Sequence, residues 1–433
     1  MKAPSATGFA LFGAALVAIS YGLARFAFGL FVPPIREELG LTAQVIGLIG
    51  ALPLISFVLA SLVAPFAADR LGARYTALLS GAFGVVGLAL ISLSNGPLTL
   101  GAGVFACGIC TGLMMPALTA AMQALVKRTV HGRVSSVLNA GTSVGIIFAV
   151  PAVLFLVDGW RLAYGSFVVL AAIGLVATWF FIPSVSAVVP AAAAPPPPIT
   201  ALQWSRLFRL SLFAFAMGFV SAAYWIFAPD LAVTLGALPS GETGWLWLAV
   251  GIAGLGGAVA ADLADRNNPP ITHALMLVML AASLALLAAS PGQIILASFS
   301  ALVFGLAYMT LTGLYLMTGI RLLPGRMSMG PVLPFVACAL GQAFGSPIAG
   351  LLVEAVGYAD AFSMFAAVGI VVALLSPLYP RYIDTQLAPP EPEGDTGLQA
   401  AFDYQLLAED GEPFRYGVVD MASAAETEPR VVE

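Results

Sequence analysis

Twelve apolar runs, separated by charged residues or by Gly and Pro, constrain this fold more than any other feature of the sequence. A helix needs about 20 mostly apolar residues to cross a bilayer. Only 9% of the chain is charged and its mean hydropathy is +0.98, whereas soluble domains average about 25% charged residues. The sequence therefore predicts an all-α membrane protein with twelve transmembrane helices. The runs are Gly8 to Val32, Ala43 to Ala67, Tyr75 to Leu93, Leu98 to Val126, Ser135 to Val157, Leu162 to Ile182, Leu207 to Leu235, Trp245 to Ala261, Ile271 to Ser290, Ile294 to Ile320, Met327 to Val353 and Ala361 to Tyr379.

A Pro- and Ala-rich segment, PSVSAVVPAAAAPPPPIT, divides the runs into six and six. Its composition is typical of a semi-extended linker. From Glu391 onward there are eleven acids and two arginines, which predicts a disordered cytoplasmic tail. The predicted domains are a first bundle over 1–182, a linker over 183–205, a second bundle over 206–382 and an acidic tail over 383–433.

The two halves repeat each other. FGLFVPPIREELG, which starts at Phe28, aligns with YWIFAPDLAVTLG, which starts at Tyr224. Each half has an even number of spans, so the halves keep the same orientation and are related by an axis along the membrane normal. This arrangement predicts a cavity between the halves, near the middle of the membrane.

Basic residues predict the orientation. With both termini in the cytoplasm, fourteen of the seventeen Lys and Arg residues lie inside, and only Arg36 and Arg161 lie outside. This follows the positive-inside rule. The expected location is a bacterial inner membrane, crossed many times. The first run is not read as a signal peptide, because its partner in the second half would then be lost.

Arg25 is the one charge inside the first apolar run. A guanidinium in hydrocarbon costs at least about 2.5 kcal/mol, so it should face a wet cavity or a partner. Tyr21 lies four residues earlier, on the same helical face. Together they predict a binding site for a small anion, with a structural arginine and a packing tyrosine as the alternatives.

The loop after the second run carries the clearest motif. PFAADRLGARYT, which starts at Pro65, resembles the G-x-x-x-D-R-x-G-R-R/K signature of the major facilitator superfamily, and AADLADRNNP repeats part of it in the second half. Pro65 replaces the first Gly, and Asn268 replaces the later Gly in the second copy. The resemblance implies two six-helix bundles and alternating access. It also implies cytoplasmic gating roles for Asp69, Arg70, Arg74, Asp265 and Arg266.

The same resemblance implies that spans 1, 4, 7 and 10 line the cavity. Tyr224, Trp225, Tyr308 and Tyr315 then become candidate substrate contacts, as do two polar residues in apolar runs, Asn139 and Gln342. For each of these residues, packing or helix clamping is the alternative.

Proton coupling has few candidates in the sequence. No Asp or Glu lies in the middle of a span, and His131 and His273 both lie at the edges of runs. Asp230, near the outer end of span 7, is a candidate proton site or a partner for Arg25. Anion exchange and proton coupling therefore both stay open.

The function predicted from these patterns is secondary transport of a small organic anion such as a monocarboxylate, by a monomer in the lipid bilayer. The alternatives are efflux of a hydrophobic or drug-like compound, and a transporter-like receptor or assembly factor that moves nothing. No enzyme, cofactor, metal or nucleic-acid motif is recognised. Cys107 and Cys110 form a C-x-x-C inside an apolar run, where a packing role is favoured over a redox or metal role.

Overall fold

The computed structural model describes residues 5–127, 130–156, 159–182, 198–323 and 329–380, without the side chains of 132, 258–267, 329 and 331. Most of the predicted linker and the whole acidic tail lie outside these ranges. The described part is built from α-helices, a π-helical segment and short 3₁₀ turns, as an all-α membrane protein requires. It belongs to one compact unit that ends at Tyr382.

The helices follow the predicted runs closely. Nine of the described helices are long and apolar enough to cross a membrane. One of them is long enough for two crossings, and two further helices, Thr243–Asn267 and the shorter Tyr358–Leu374, complete the twelve transmembrane spans of the fold. The helices are α1 Ala6–Leu30, α2 Val32–Leu39, α3 Ala43–Ser92, α4 Pro97–Leu125, α5 His131–Leu156, α6 Trp160–Phe181, α7 Ala201–Thr234, α8 Thr243–Asn267, α9 Pro269–Ala289, α10 Ile294–Leu322, α11 Met329–Val356 and α12 Tyr358–Leu374.

Spans 2 and 3 are the two parts of α3, which Gly72 interrupts. Gly72 has φ of 81° and ψ of 163°, outside helical geometry. Only glycine adopts such a backbone without a steric cost. Thr76 donates its hydroxyl to the Gly72 carbonyl at 3.0 Å, which restarts the helix. The glycine that the signature requires at this position therefore marks the reversal between the two spans.

The start of α7 corrects one predicted boundary. The linker was predicted to extend to residue 205, but the helix begins at Ala201. Thr200 caps it, because the Thr200 side chain accepts from the Gln203 backbone N–H and the Gln203 side chain accepts in return from the Thr200 backbone N–H. This capping box supplies partners for backbone donors that would otherwise be unpaired, so the polar residues after Thr200 are helical.

The halves meet along two equivalent interfaces, α3 against α11 and α5 against α8. Glycines allow the close approach. A Cβ on Gly47 would lie 2.5 Å from the Ser346 carbonyl oxygen, and a Cβ on Gly251 would lie 2.6 Å from an Ile147 side-chain carbon. The repeat relates the two interfaces, since it places span 2 over span 8 and span 5 over span 11.

Toward the end of the molecule that carries Asp69, these interfaces separate. On α3, Val58 is 7% exposed, whereas Leu62, one turn further and on the same face, is 55% exposed. On α11, Ala339 is 2% exposed and Phe335, one turn toward the Asp69 end, is 38% exposed. The halves are thus packed together at the end that carries Arg36, called here the Arg36 end, and open at the opposite, Asp69 end.

Candidate functional site

The site is built around a widened part of α1. Residues Ala18–Phe26 form a π-helical segment, a geometry that is often found at functional sites. Thr111 on α4 donates to the Ser20 carbonyl at 3.1 Å. Gly22 lies so close to the backbone of Gly145 that a Cβ there would be 2.3 Å from its Cα. Neighbouring helices of the first half thus support the segment that carries Tyr21 and Arg25.

Arg25 reaches from the first half to the second. Its Nη2 donates to Gln342 Oε1 on α11 at 3.1 Å. The guanidinium carbon lies 4.9 Å from the ring centre of Phe57 and 5.1 Å from that of Phe26, within the range of cation–π contacts. Arg25 is partly exposed, and within the described ranges no carboxylate pairs with it. Its charge is therefore uncompensated at the closed end of the opening.

Both the oxygen and the nitrogen of the Gln342 side-chain amide are hydrogen bonded. It is 3% exposed, and its Nε2 donates to the Tyr308 hydroxyl at 3.1 Å and to Ser221 Oγ at 3.3 Å. Both N–H groups of the amide donate hydrogen bonds to side chains of the second half, and the amide oxygen accepts from Arg25. Of the sequence candidates, Arg25, Tyr308 and Gln342 are therefore joined in one hydrogen-bonded group.

Tyr21 lies beside this group. Its ring meets the edge of Phe57 at 6.5 Å between ring centres, and Phe57 is one of the two rings that flank the Arg25 guanidinium. The side chain is partly exposed. Tyr21 therefore extends the aromatic surroundings of the Arg25 group.

Trp225 packs against the same group. Its ring lies 4.5 Å from Phe26 and 5.2 Å from Tyr308. The Trp225 indole N–H is buried without a partner among the described residues. The neighbouring Trp247 differs, because its N–H donates to the Phe26 carbonyl at 3.1 Å. A buried unpaired donor costs about 1–3 kcal/mol, so two adjacent tryptophans contribute differently to stability.

We expect Trp247→Phe to unfold several degrees below Trp225→Phe. Both changes remove similar volume, but only Trp247→Phe removes a buried hydrogen bond, the one to the Phe26 carbonyl. Thermal unfolding of the two purified variants in one detergent measures the difference. Equal midpoints would show that the Trp247 hydrogen bond does not stabilise the protein.

Three other sequence candidates lie away from Arg25. Tyr224 is buried within the second half, stacked on Phe304 at 4.0 Å and hydrogen bonded to Ser300 at 3.0 Å. Tyr315 is buried near the Asp69 end of the second half, where it donates to the Phe213 carbonyl at 3.2 Å. Asn139 is exposed on α5, one turn beyond Ser143, which lies beside Gly254 of α8. Asn139 therefore faces the opening, whereas the two tyrosines pack between helices.

His273 lies near the start of α9, and the structure adds that its side chain is fully buried. Its two ring nitrogens contact Ser376 Oγ at 2.7 Å and the Tyr315 hydroxyl at 2.9 Å. The side chain ties α9 to α10 and to the turn after α12. The position of His273 near a helix start did not indicate these contacts, because they depend on how the neighbouring helices pack.

Asp230 has a partner that the sequence did not predict. It was considered as a partner for Arg25, but its carboxylate accepts from Arg36 Nη1 at 2.7 Å and from the Tyr358 hydroxyl. Arg36 also donates to the Tyr358 hydroxyl and to the Leu41 carbonyl. Arg36 belongs to the first half and the other two side chains to the second. This group, the Arg36 cluster, therefore joins the halves at the Arg36 end.

The cluster stabilises the positive charge of Arg36, which an arginine carries at any physiological pH. Burial lowers the pKa of the Arg36 guanidinium, but the charge of Asp230 and the hydrogen bonds from Asp230 and Tyr358 outweigh burial and raise the pKa above its usual value. A cavity of about 300 Å³ adjoins the cluster and is lined in part by Leu41 and Glu354. The repeat contained a signal for the pair, since Arg36 and Asp230 lie in the two aligned segments.

Of the predicted gating residues, Asp69, Arg70 and Arg74 make no described contact that joins the halves in this conformation. Asp69 and Arg70 are exposed, and neither makes an ion pair within the described ranges. Arg74 donates to the Trp179 carbonyl at 2.5 Å and stacks on the Trp179 ring at 4.0 Å, so it binds the end of α6 in its own half. Asp265 and Arg266 lie on α8, and their side chains are outside the described set.

Comparisons with known proteins agree with this architecture. The family model described as Major Facilitator Superfamily matches residues 14–329. The nucleoside transporter NupG superposes with a TM-score of 0.71 at 13% identity, covering 88% of this chain and 100% of its own. A bacterial homologue of the human lysosomal transporter Spinster, solved inward-facing and unoccupied, gives a TM-score of 0.69 at 14% identity, covering 87% of this chain and 97% of its own.

A POT family transporter in complex with a thioalcohol-conjugated peptide gives a TM-score of 0.68 at 14% identity, and the match covers 86% of this chain and 96% of the transporter. At such identities, these structures establish a shared fold alone. No curated protein matches this chain in sequence.

Proposed function

This chain belongs to the major facilitator superfamily, and on that premise we propose that it transports a small organic anion, with monocarboxylates as the preferred class. Arg25 carries the proposal. Its guanidinium lies at the closed end of the opening between the halves, is partly exposed and pairs with no carboxylate of the described chain. Since a lone charge within the membrane is expensive, an anionic ligand supplies the missing counterion.

The chemistry of the group favours a carboxylate. A guanidinium presents planar donors that match two carboxylate oxygens and stays protonated at any physiological pH. Only one of its N–H groups is used by Gln342, and the Tyr21 ring packs against Phe57, one of the two rings that flank the guanidinium. A single cation balances one negative charge, which favours a monoanion over a dianion.

Efflux of a hydrophobic or drug-like compound is the second candidate function. The aromatic rings of Phe26, Phe57, Trp225 and Tyr308 surround the site and favour an apolar ligand body. A neutral compound, however, would leave the Arg25 charge uncompensated. A carboxylate with an apolar body satisfies both features. A receptor that moves nothing is the third candidate, and transport by the reconstituted protein would exclude it.

We further propose that the protein lies in a bacterial inner membrane as a monomer with both termini in the cytoplasm, so that the Arg36 end faces outward. The present conformation is then open to the cytoplasm. Proton coupling and anion exchange both fit this arrangement. Net uptake into substrate-free proteoliposomes, with and without a pH gradient, separates them, because a proton-coupled transporter is driven by the gradient whereas an exchanger needs substrate inside.

The test compares matched acids and neutral analogues. Proteoliposomes containing the full chain are preloaded with a monocarboxylate, and counterflow is measured for a panel of carboxylates, their amides and dicarboxylates of similar size. We expect exchange of monocarboxylates, with little exchange of the amides. Equal transport of an acid and its amide, or transport of apolar cations alone, would contradict the anion proposal and favour the efflux function.

A further inference from the structure

The hydrogen bond from Arg25 to Gln342 has two properties at once. It lies at the proposed binding site, and it joins the first half to the second, because α1 and α11 belong to different halves. The Phe57 and Val58 side chains of α3 pack against Ala339 of α11 nearby. The bond is therefore part of the contact between the halves that closes the Arg36 end.

The acceptor in this bond resembles half of a carboxylate. Gln342 offers Arg25 one amide oxygen at 3.1 Å, in a direction fixed by the bonds of its Nε2 to Tyr308 and Ser221. An amide oxygen and a carboxylate oxygen present the same sp² lone pairs to a guanidinium. They differ in charge: a carboxylate adds a Coulomb attraction to the guanidinium and a second oxygen for a bidentate contact, and the neutral amide offers neither.

We propose that Gln342 is a stand-in for the substrate: its amide oxygen occupies the place on Arg25 that a substrate carboxylate oxygen takes on binding. This inference rests on the proposed function. A carboxylate that enters from the open side displaces the weaker neutral acceptor from Arg25. Gln342 keeps its bonds to Tyr308 and Ser221, and its oxygen then makes no bond across the boundary between the halves.

The displacement links binding to the conformational change. A ligand shifts an equilibrium between conformers only by its differential affinity for them. Here the ligand replaces a bond that is available only while α1 and α11 are close. Binding therefore removes one contact that holds the Arg36 end closed, and the occupied protein opens on that side more readily than the empty one.

Two substitutions of Gln342 test the proposal because their expected effects on affinity have opposite signs. Gln342→Leu removes the competing acceptor, and we expect the affinity for a monocarboxylate to rise about tenfold, which corresponds to about 1.4 kcal/mol, while the empty protein unfolds at a lower temperature. Gln342→Glu supplies a permanent carboxylate, and we expect affinity to fall at least 100-fold while the unfolding temperature stays equal or rises. Affinity is measured by ligand-induced thermal shift and calorimetry with the best monocarboxylate of the transport panel.

The control is Gln293→Leu, since Gln293 is exposed before α10, and no change in affinity is expected there. Weaker binding by Gln342→Leu would make Gln342 a direct ligand contact, and unchanged affinity in both variants would make it a helix clamp; either result overturns the proposal. If Gln342→Leu does not fold, wild-type affinity in Gln342→Glu overturns it as well. Failure of the proposed function is distinct, because then the wild-type protein binds no monocarboxylate.

Discussion

Replacing Arg25 with alanine is expected to reduce monocarboxylate transport by about 100-fold or more while leaving the protein folded. Truncating one partner of a buried, hydrogen-bonded charge pair costs about 2–5 kcal/mol, and each 1.4 kcal/mol is a factor of ten in affinity. The change breaks one bond to Gln342, but the Gln342 amide keeps its contacts with Tyr308 and Ser221. Initial uptake rates in proteoliposomes, normalised to folded protein, measure the loss.

Two further arginine variants sharpen this result. Arg25→Lys keeps the charge but loses the planar fork, so intermediate transport is expected. Arg209→Ala removes an exposed arginine of α7 and should transport at the wild-type rate. Transport by Arg25→Ala at the wild-type rate would show that this guanidinium has a structural role, and the anion specificity would then need another origin.

Replacing Asp230 with asparagine is expected to open the Arg36 end. The carboxylate accepts from Arg36 across the boundary between the halves and from Tyr358 within the second half, and asparagine leaves Arg36 without a counterion. Arg36 is 28% exposed in its side chain and Asp230 is 5% exposed, so the cost lies at the lower end of the range for such pairs. About 2 kcal/mol corresponds to a roughly 30-fold shift toward the conformer that is open on this side.

The substitution Ser346→Cys provides a labelling site that reports this shift. Ser346 is fully buried on α11, where its carbonyl oxygen lies beside Gly47 of α3, so it becomes accessible when the two helices separate. Labelling with a membrane-impermeant maleimide from the Arg36 side should be at least tenfold faster in the Asp230→Asn background. The three native cysteines are buried and are replaced by serine in all samples.

The control for this experiment comes from the same end of the molecule. Arg161 pairs with Glu38, and both residues belong to the first half, so Arg161→Ala removes an ion pair that does not join the halves. We expect it to leave labelling of the Ser346 cysteine unchanged. An equal increase in both variants would show that any lost charge at this end opens the protein, and an increase in neither would show that the Arg36 cluster does not hold it closed.

The positions of the helices followed from local composition. A chain in a bilayer must satisfy its backbone hydrogen bonds within each spanning segment, so apolar length alone predicts where helices lie. The separation of spans 2 and 3 was also readable, because the apolar runs stop at Ala67 and resume at Tyr75, and Gly72 lies between them. The start of α7 was not predicted from the apolar run, because the capping bonds between Thr200 and Gln203 begin the helix among polar residues that precede the run.

The candidate site was predicted only in part. The apolar surroundings of Arg25 singled it out, and the sequence also named Gln342, Tyr308 and Trp225 as separate candidates. Their grouping around Arg25 depends on the packing of four helices from both halves. Tyr224 and Tyr315 have the same residue type as Tyr308, yet their hydroxyls bind partners inside the second half, and no feature of one sequence separates these cases.

What the sequence alone determined is therefore the class of protein, the number of membrane crossings and the presence of one costly charge in the first of them. These depend on the free energy of moving each segment from water into lipid, which is set residue by residue. The tertiary structure decided which charges and polar groups meet: Arg25 with Gln342, 317 residues away, and Arg36 with Asp230, 194 residues away. Such pairs depend on the relative rotation and depth of packed helices, and an apolar run fixes neither.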